Sequence, residues 1–152
     1  VLVSYWYYLK RIKENFDLSL EDFILNNKMD PCDWGYHVKS WLENTTSENR
    51  ILVKYEDLHS DPEYWFRKIL DYCGLEVDDD LFIKAIEKSS FENMRRVEEQ
   101  NEPIPESQEK DHIFFVRKGK AGGWHDELNK DLAKIIYERY ADLINELGYE
   151  KI

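Results

Sequence analysis

"NRILVKYEDL", residues 49–58, is the one segment of this 152-residue chain whose pattern favours a β-strand. It contains a short apolar run, Ile51 to Val53, that is rich in β-branched residues and bounded by polar residues on both sides. A short apolar run of this kind is typical of a buried strand rather than of a helix. The segment therefore predicts that the fold is not built from helices alone.

The sequence on either side of this segment has helical periodicity and helix-end signals. Ser19 begins a capping-box-like Ser-x-x-Asp sequence, Pro62 stands at a first-turn position, and Gly74 and Gly148 mark helix ends. A polar stretch with two prolines, residues 97–112, predicts a long exposed loop. We expect helices over residues 3–13, 19–27, 33–44, 61–75, 78–96 with a break at Ser89-Ser90, and about 127–147.

Composition narrows the class of protein. With 21 basic and 32 acidic residues the net charge is −11, which argues against a general affinity for nucleic acids or anionic membranes. Cys32 and Cys73 have neither CxxC nor His/Cys ligand spacing, so we expect neither a disulfide framework nor a metal site. We expect a reducing, cytoplasmic setting. No apolar run approaches the roughly 20 residues that span a bilayer, so no membrane partner is expected.

The N-terminal sequence "VLVSYWYYLKRIKENF" starts without Met and already inside an apolar, aromatic segment. We expect from this that the front of the domain lies upstream of residue 1. The aromatic cluster Tyr5 to Tyr8 fits either an acceptor pocket or the core, and its helical spacing favours the core.

Positive charge and glycine concentrate in "FVRKGKAGGWHDEL", residues 115–128, of this otherwise acidic chain. The guanidinium of Arg117 can grip phosphate oxygens at two points, and Lys118 adds a second cation. Gly119 has no Cβ to keep an anion away from the backbone N–H groups. The segment indicates either a local phosphate site or a solvated basic turn before a helix.

Five motifs occur in a fixed order along the chain: Val3-Ser4-Tyr5, "HVKSW", "YEDL", "SSFENM" and "RKGKAGGW". In this order and at these intervals, the chain resembles the cytosolic-type sulfotransferases, which use 3′-phosphoadenosine 5′-phosphosulfate (PAPS), from its first residue to about residue 126. The resemblance implies an α/β fold with a P-loop-nucleotide-binding-like parallel sheet flanked by helices, in which "ILVKY" is one strand. Residues 1–152 would be the mostly helical C-terminal part of a single sulfotransferase domain.

The resemblance also implies roles in cofactor binding for seven residues. Arg117, Lys118 and the backbone of Gly119 would hold the 3′-phosphate, to which the Ser4 hydroxyl would also donate. The other three would lie at the adenine, where Tyr55 packs or hydrogen-bonds, Ser89 replaces the usual Thr, and Phe91 stacks.

The family's catalytic His, its loop for the 5′-phosphosulfate and the arginine that partners Ser4 would all lie upstream of residue 1. No catalytic residue is therefore expected within this chain, which alone would be inactive. The family's dimer motif is not matched, since it reads His125, Asn129, Lys130 and Lys134 here, so the oligomeric state stays open.

The remaining residues with reactive side chains are not expected to be catalytic. His37, His59, His112 and His125 share no spacing with carboxylates or cysteines that indicates a triad. Glu56 and Asp57 follow the expected strand, where an active site is possible but a helix-capping or loop-pinning role is favoured. Arg95 and Arg96 are predicted to lie on a solvated helix face.

Two functions remain open from the sequence. The first is transfer of a sulfuryl group from PAPS to a hydroxyl or amine of a small acceptor, with 3′-phosphoadenosine 5′-phosphate (PAP) as product. The alternative is a non-catalytic acidic helical module that binds a nucleotide phosphate or a protein partner. A strand followed by a phosphate-binding loop in upstream sequence would distinguish the first from the second.

Overall fold

The computed structural model describes residues 1–13, 16–26, 33–101 and 113–149. These residues fold mainly into α-helices, with a 3₁₀ turn at Gly123–Asp126 before the last of them. The α-helices are α1 (Leu2–Ile12), α2 (Leu20–Leu25), α3 (Trp34–Asn44), α4 (Tyr55–Ser60), α5 (Pro62–Cys73), α6 (Asp79–Lys88), α7 (Phe91–Asn101) and α8 (Lys130–Glu146). The chain divides into two units: the first joins Val1–Arg50 to Gly122–Ile152, and the second is Ile51–Ala121.

The strand predicted at Ile51 to Val53 is wrong for the described part of the chain. Residues 51–54 have no regular secondary structure, and Tyr55 is the first residue of α4. Lys54 has extended backbone angles, φ −86° and ψ 152°, and Leu52 is half-exposed. A strand requires ladder hydrogen bonds to a neighbour, and no described residue forms one with this segment.

The predicted helix ends are largely confirmed. The Ser19 hydroxyl accepts the Asp22 N–H at 3.0 Å and donates to the Asp22 carboxylate at 2.6 Å. Pro62 opens α5, and Gly74 ends it in the left-handed region with φ 67°. The expected exposed loop is wrong at its start, because residues 97–101 continue α7; residues 102–112 lie outside the described residues.

The core of the first unit is formed by α1, α2 and α8. Phe23 and Ile24 are fully buried, and Leu9, Leu132 and Tyr140 pack in the same cluster. Tyr5 and Trp6 of α1 pack against this cluster, which confirms the core interpretation for these two aromatic residues, whereas Tyr8 is exposed. Arg139 fastens α8 to α2 by donating to the Ile24 carbonyl at 2.9 Å.

Tyr140 joins α8 to the start of α3. Its hydroxyl donates to the Asp33 carboxylate, whose other oxygen accepts the Tyr36 N–H at 2.9 Å and caps α3. The ring lies against Gly35, where a Cβ would stand 2.7 Å from Cδ1 of Tyr140, so only glycine fits here without a shift. Burial, together with the Asp33 carboxylate, raises the pKa of Tyr140 to about 12.

In the second unit, consecutive helices pack in order along the chain, α4 on α5, α5 on α6 and α6 on α7. The Arg67 guanidinium of α5 lies over the buried Phe82 ring at 4.0 Å from its centroid and pairs with Asp79 at 2.5 Å. This stacking and ion pair link α5 to α6. None of the helices in the described ranges is long and apolar enough to cross a membrane.

We predict that Tyr140→Phe lowers the free energy of unfolding by about 1.5–3 kcal/mol at pH 7, the usual loss for a hydrogen bond to a charged group. The phenol ionises near pH 10 in the unfolded chain and at about 12 in the folded one. The stability that it contributes is therefore complete below pH 10 and is lost as the pH rises through 12. Urea unfolding of parent and variant should show their difference shrinking over that range.

The matched control is Tyr137→Phe, one turn earlier on α8, whose side chain is only partly buried. It should change the free energy of unfolding little at any pH. A Tyr140→Phe variant as stable as the parent at pH 7 would show that the bond to Asp33 contributes nothing net.

Candidate functional site

The candidate site is built on the break between α6 and α7. The Ser89 N–H and hydroxyl both bond to the Ala85 carbonyl, which ends α6. Ser90 begins α7 by accepting the Asn93 N–H, and the Asn93 amide donates back to the Glu87 carbonyl at 2.6 Å. These bonds fix Phe91 as the first residue of α7.

Gly119 brings the basic loop, residues 115–121, into contact with α7. It has a left-handed φ of 55°, and a Cβ built on it would lie 2.0 Å from Cδ2 of Phe91. No real side chain tolerates that distance, so the glycine backbone rests directly on the phenyl ring. The structure thus joins two motifs that the sequence singled out separately, "SSFENM" and "RKGKAGGW".

Two charged side chains of α7 hold the residues that precede Arg117. The Glu98 carboxylate accepts the N–H of Phe115 at 2.5 Å and the N–H of Val116 at 2.8 Å. The Arg95 guanidinium donates to the Val116 carbonyl at 2.6 Å and lies over the Phe114 ring, 3.1 Å from its centroid.

The predicted solvated face is therefore wrong for Arg95 and confirmed for Arg96. The Arg95 side chain is only 26% exposed and also pairs with Glu99 at 3.0 Å. Arg96 is exposed and donates to Asn93, a neighbour on its own helix. Helical periodicity places both arginines on the polar side, but only Arg95 points to the loop.

The other residues expected at the adenine also lie in the second unit. Tyr55 opens α4 about half-exposed, and its hydroxyl lies 2.7 Å from Nε2 of His59. Partial burial, and then the charge of Glu56, raise the pKa of Tyr55. Ser89 is exposed, and because its proton goes to Ala85 its oxygen keeps acceptor capacity.

The anion-binding residues of the expectation divide between the units. Arg117 is half-buried and Lys118 is exposed, both beside Gly119 in the second unit. Ser4 is exposed in the first turn of α1, within the first unit, and its bond to the phosphate stays a prediction.

Other candidate chemistry is weak in the described residues. No group of three or more His, Cys, Asp or Glu residues there is placed to hold a metal ion. Asp57 accepts the Lys54 N–H at 3.1 Å, which confirms the helix-capping interpretation. Cys73 is an exposed free thiol, whereas Cys32 and His112 lie outside the described residues.

Comparison with known proteins identifies the family. The family model "Sulfotransferase domain" matches residues 1–148, so the chain belongs to the sulfotransferase family, and the predicted resemblance is confirmed. Sulfotransferase 1C2 of Homo sapiens is 30% identical over 131 residues, which cover 81% of this chain and 44% of that protein. Sulfotransferase 1A1 of Mus musculus is 27% identical over 150 residues, 95% of this chain and 52% of that protein. The chain thus spans about half the length of these relatives.

Solved structures give the same fold. A retinol dehydratase in complex with androsterone and the inactive cofactor PAP superposes with a TM-score of 0.72 at 20% identity, over 94% of this chain and 43% of that one. Mouse sulfotransferase SULT7A1 complexed with PAP gives a TM-score of 0.73 at 21% identity, over 94% and 54%. The described helices therefore have a sulfotransferase fold.

We predict that Gly119→Ala destabilises the chain more than Gly74→Ala does. Both glycines have left-handed φ angles, but a Cβ on Gly74 has nothing within 4 Å, whereas one on Gly119 strikes Phe91. The alanine at 119 should lower the free energy of unfolding by about 1–3 kcal/mol more than the alanine at 74, the usual cost of overpacking. Urea unfolding measures both, and equal losses would show that the Phe91 ring moves aside at no cost.

Proposed function

We propose that this chain is the C-terminal part of a sulfotransferase domain that transfers a sulfuryl group from PAPS to a hydroxyl or amine of a small acceptor. Membership of the family and the fold of its solved members support this proposal. We also propose that the parallel sheet of the phosphate-loop fold is formed with sequence outside this chain. A cytoplasmic location belongs to the same proposal, and the free thiol of Cys73 is consistent with it.

The observation that carries the proposal is the contact of Gly119 with Phe91. It places the Arg117-Lys118 pair beside the ring that would stack on adenine, at one end of one helix. A ligand that joins an aromatic base to a phosphate needs this pairing of a flat apolar surface with cations. The residues present therefore fit the 3′-phosphoadenosine part of PAPS.

Within this site we assign the 3′-phosphate to Arg117, Lys118 and the backbone of Gly119. A guanidinium binds phosphate at two points, and the bare glycine lets the anion approach the chain. At the adenine, Tyr55 and Phe91 provide aromatic surface, and the free acceptor capacity of Ser89 suits the exocyclic amino group.

The reaction breaks the bond between sulfur and the 5′-phosphate oxygen of PAPS, forms a bond between sulfur and the acceptor oxygen or nitrogen, and leaves PAP. The acceptor's proton passes to a general base, and cations stabilise charge on the departing phosphate. We assign neither role to a residue of this chain, whose contribution is to bind and orient the nucleotide.

We predict that the full-length protein binds PAP more tightly than AMP, because the loop faces a 3′-phosphate that AMP lacks. Arg117→Ala should weaken PAP binding about ten-fold to a hundred-fold, since a charged hydrogen bond is worth about 1.5–3 kcal/mol. Arg117→Lys should restore only part of this affinity, because an ammonium lacks the two-point grip. Isothermal titration calorimetry measures each constant.

Arg96→Ala is the control, since the exposed Arg96 side chain donates to Asn93 on its own helix rather than to the loop. It should leave both affinities close to those of the parent. Equal affinity for PAP and AMP in the parent would refute the 3′-phosphate assignment and favour the alternative, an acidic helical module that works through another partner.

A further inference from the structure

Three residues at helical spacing, Phe91, Arg95 and Glu98, form a stripe along one face of α7. Each contacts the loop, and the contacts run in reverse order: Phe91 meets Gly119, Arg95 meets Val116, and Glu98 meets Val116 and Phe115. The loop therefore lies antiparallel along this face of the helix.

Val116, the residue just before Arg117, is held at both of its backbone polar groups. Its N–H donates to Glu98 and its carbonyl accepts from Arg95. The Phe114 ring under the Arg95 guanidinium fixes the segment two residues further back. The orientation of the peptide that precedes Arg117 is thus fixed by side chains of α7 rather than by the local conformational preferences of the loop.

The negative charge of Glu98 indicates that this side chain positions the loop backbone and does not bind the phosphate. A carboxylate beside a phosphate site opposes anion binding through its charge. Both of its oxygens accept backbone N–H groups here, and the oppositely charged Arg95 lies one turn away on the same face. Arg95 and Glu98 bond to the loop backbone, and the groups proposed to bind phosphate belong to residue 117 and those after it.

We propose that Arg95 and Glu98 are positioning residues for the 3′-phosphate loop, an assignment that rests on the proposed function. A two-point grip by Arg117 requires its backbone in one orientation, and supporting contacts of this kind hold binding groups to within fractions of an ångström. Loss of either support should let the loop sample other conformations while Arg117 itself is unchanged.

The test uses the full-length protein and the variants Glu98→Ala, Glu98→Gln, Arg95→Ala and Arg95→Lys. Arg96→Ala and Glu92→Ala serve as controls of the same charge, because both residues are exposed on α7. Calorimetry measures the affinities for PAP and for AMP, and amide hydrogen exchange by NMR follows the N–H groups of Phe115 and Val116.

Glu98→Ala and Arg95→Ala should each weaken PAP binding about ten-fold, the effect of one charged hydrogen bond, and should change AMP binding less than about two-fold. Glu98→Ala should also speed exchange at Phe115 and Val116, since their acceptor is gone. Glu98→Gln and Arg95→Lys keep the shape or the charge and should fall between parent and alanine variant. The controls should match the parent in every measurement.

The two proposals fail in different ways. If Arg117→Ala loses the preference for PAP but Glu98→Ala and Arg95→Ala keep it, the positioning role is overturned and the proposed function stands. If the alanine variants lose PAP and AMP affinity equally, their role is general stability and the positioning role is again overturned. If the parent shows no preference for PAP, both proposals are overturned.

Discussion

The contact between Gly119 and the Phe91 ring is the constraint on which the candidate site depends. It requires a residue with no Cβ and a left-handed φ, and it fixes where the basic loop meets α7. The first unit uses the same device, since the Tyr140 ring rests on Gly35 at the start of α3. In both places a glycine lets an aromatic ring approach the backbone directly, and polar bonds beside the ring then hold the two segments together: Asp33 with Tyr140, and Glu98 with the loop amides.

The charge distribution explains how an acidic chain can hold the proposed anion site. The net charge of −11 repels anions over most of the surface, so an anion site has to be made locally from cations and backbone groups. Glu98, an acidic side chain in contact with the loop, accepts two backbone N–H groups, which reduces its opposition to a phosphate. Arg95 contributes positive charge on the same face while its guanidinium serves the Val116 carbonyl. Side chains that a composition count treats as opposed charges therefore work together on one peptide segment.

The sequence predicted the features that depend on neighbouring residues and failed where distant contacts decide. The Ser19 and Gly74 helix ends were correct because capping involves residues within one turn. The strand at Ile51 to Val53 was wrong among the described residues because a strand depends on a partner that local pattern does not reveal. Arg95 was misassigned for the same reason: helical spacing marks it as polar, but its bond is to a carbonyl 21 positions along the chain. Its i, i+4 spacing to Glu99 is typical of an ion pair on a helix surface and does not reveal the contact with the loop. A phosphate site at Arg117, Lys118 and Gly119 was one of two interpretations of the residues themselves. The cofactor roles of all seven residues came from the family resemblance, and six of the seven lie in the second unit.

Within the proposed reaction, the second unit binds the 3′-phosphoadenosine part of PAPS, which is not altered by the transfer. The 3′-phosphate has the same charge and bonding before, during and after sulfuryl transfer, so contacts to it stabilise bound substrate and transition state alike. Such contacts raise affinity without lowering the barrier of the bound complex. A loop with this task needs a fixed backbone rather than an acid or base with a shifted pKa. In the described residues, side chains of α7 fix the loop backbone by bonding to two of its N–H groups and one of its carbonyls, and Gly119 packs on the Phe91 ring. Arginine suits that task because its planar guanidinium binds phosphate at two points, which requires one fixed orientation.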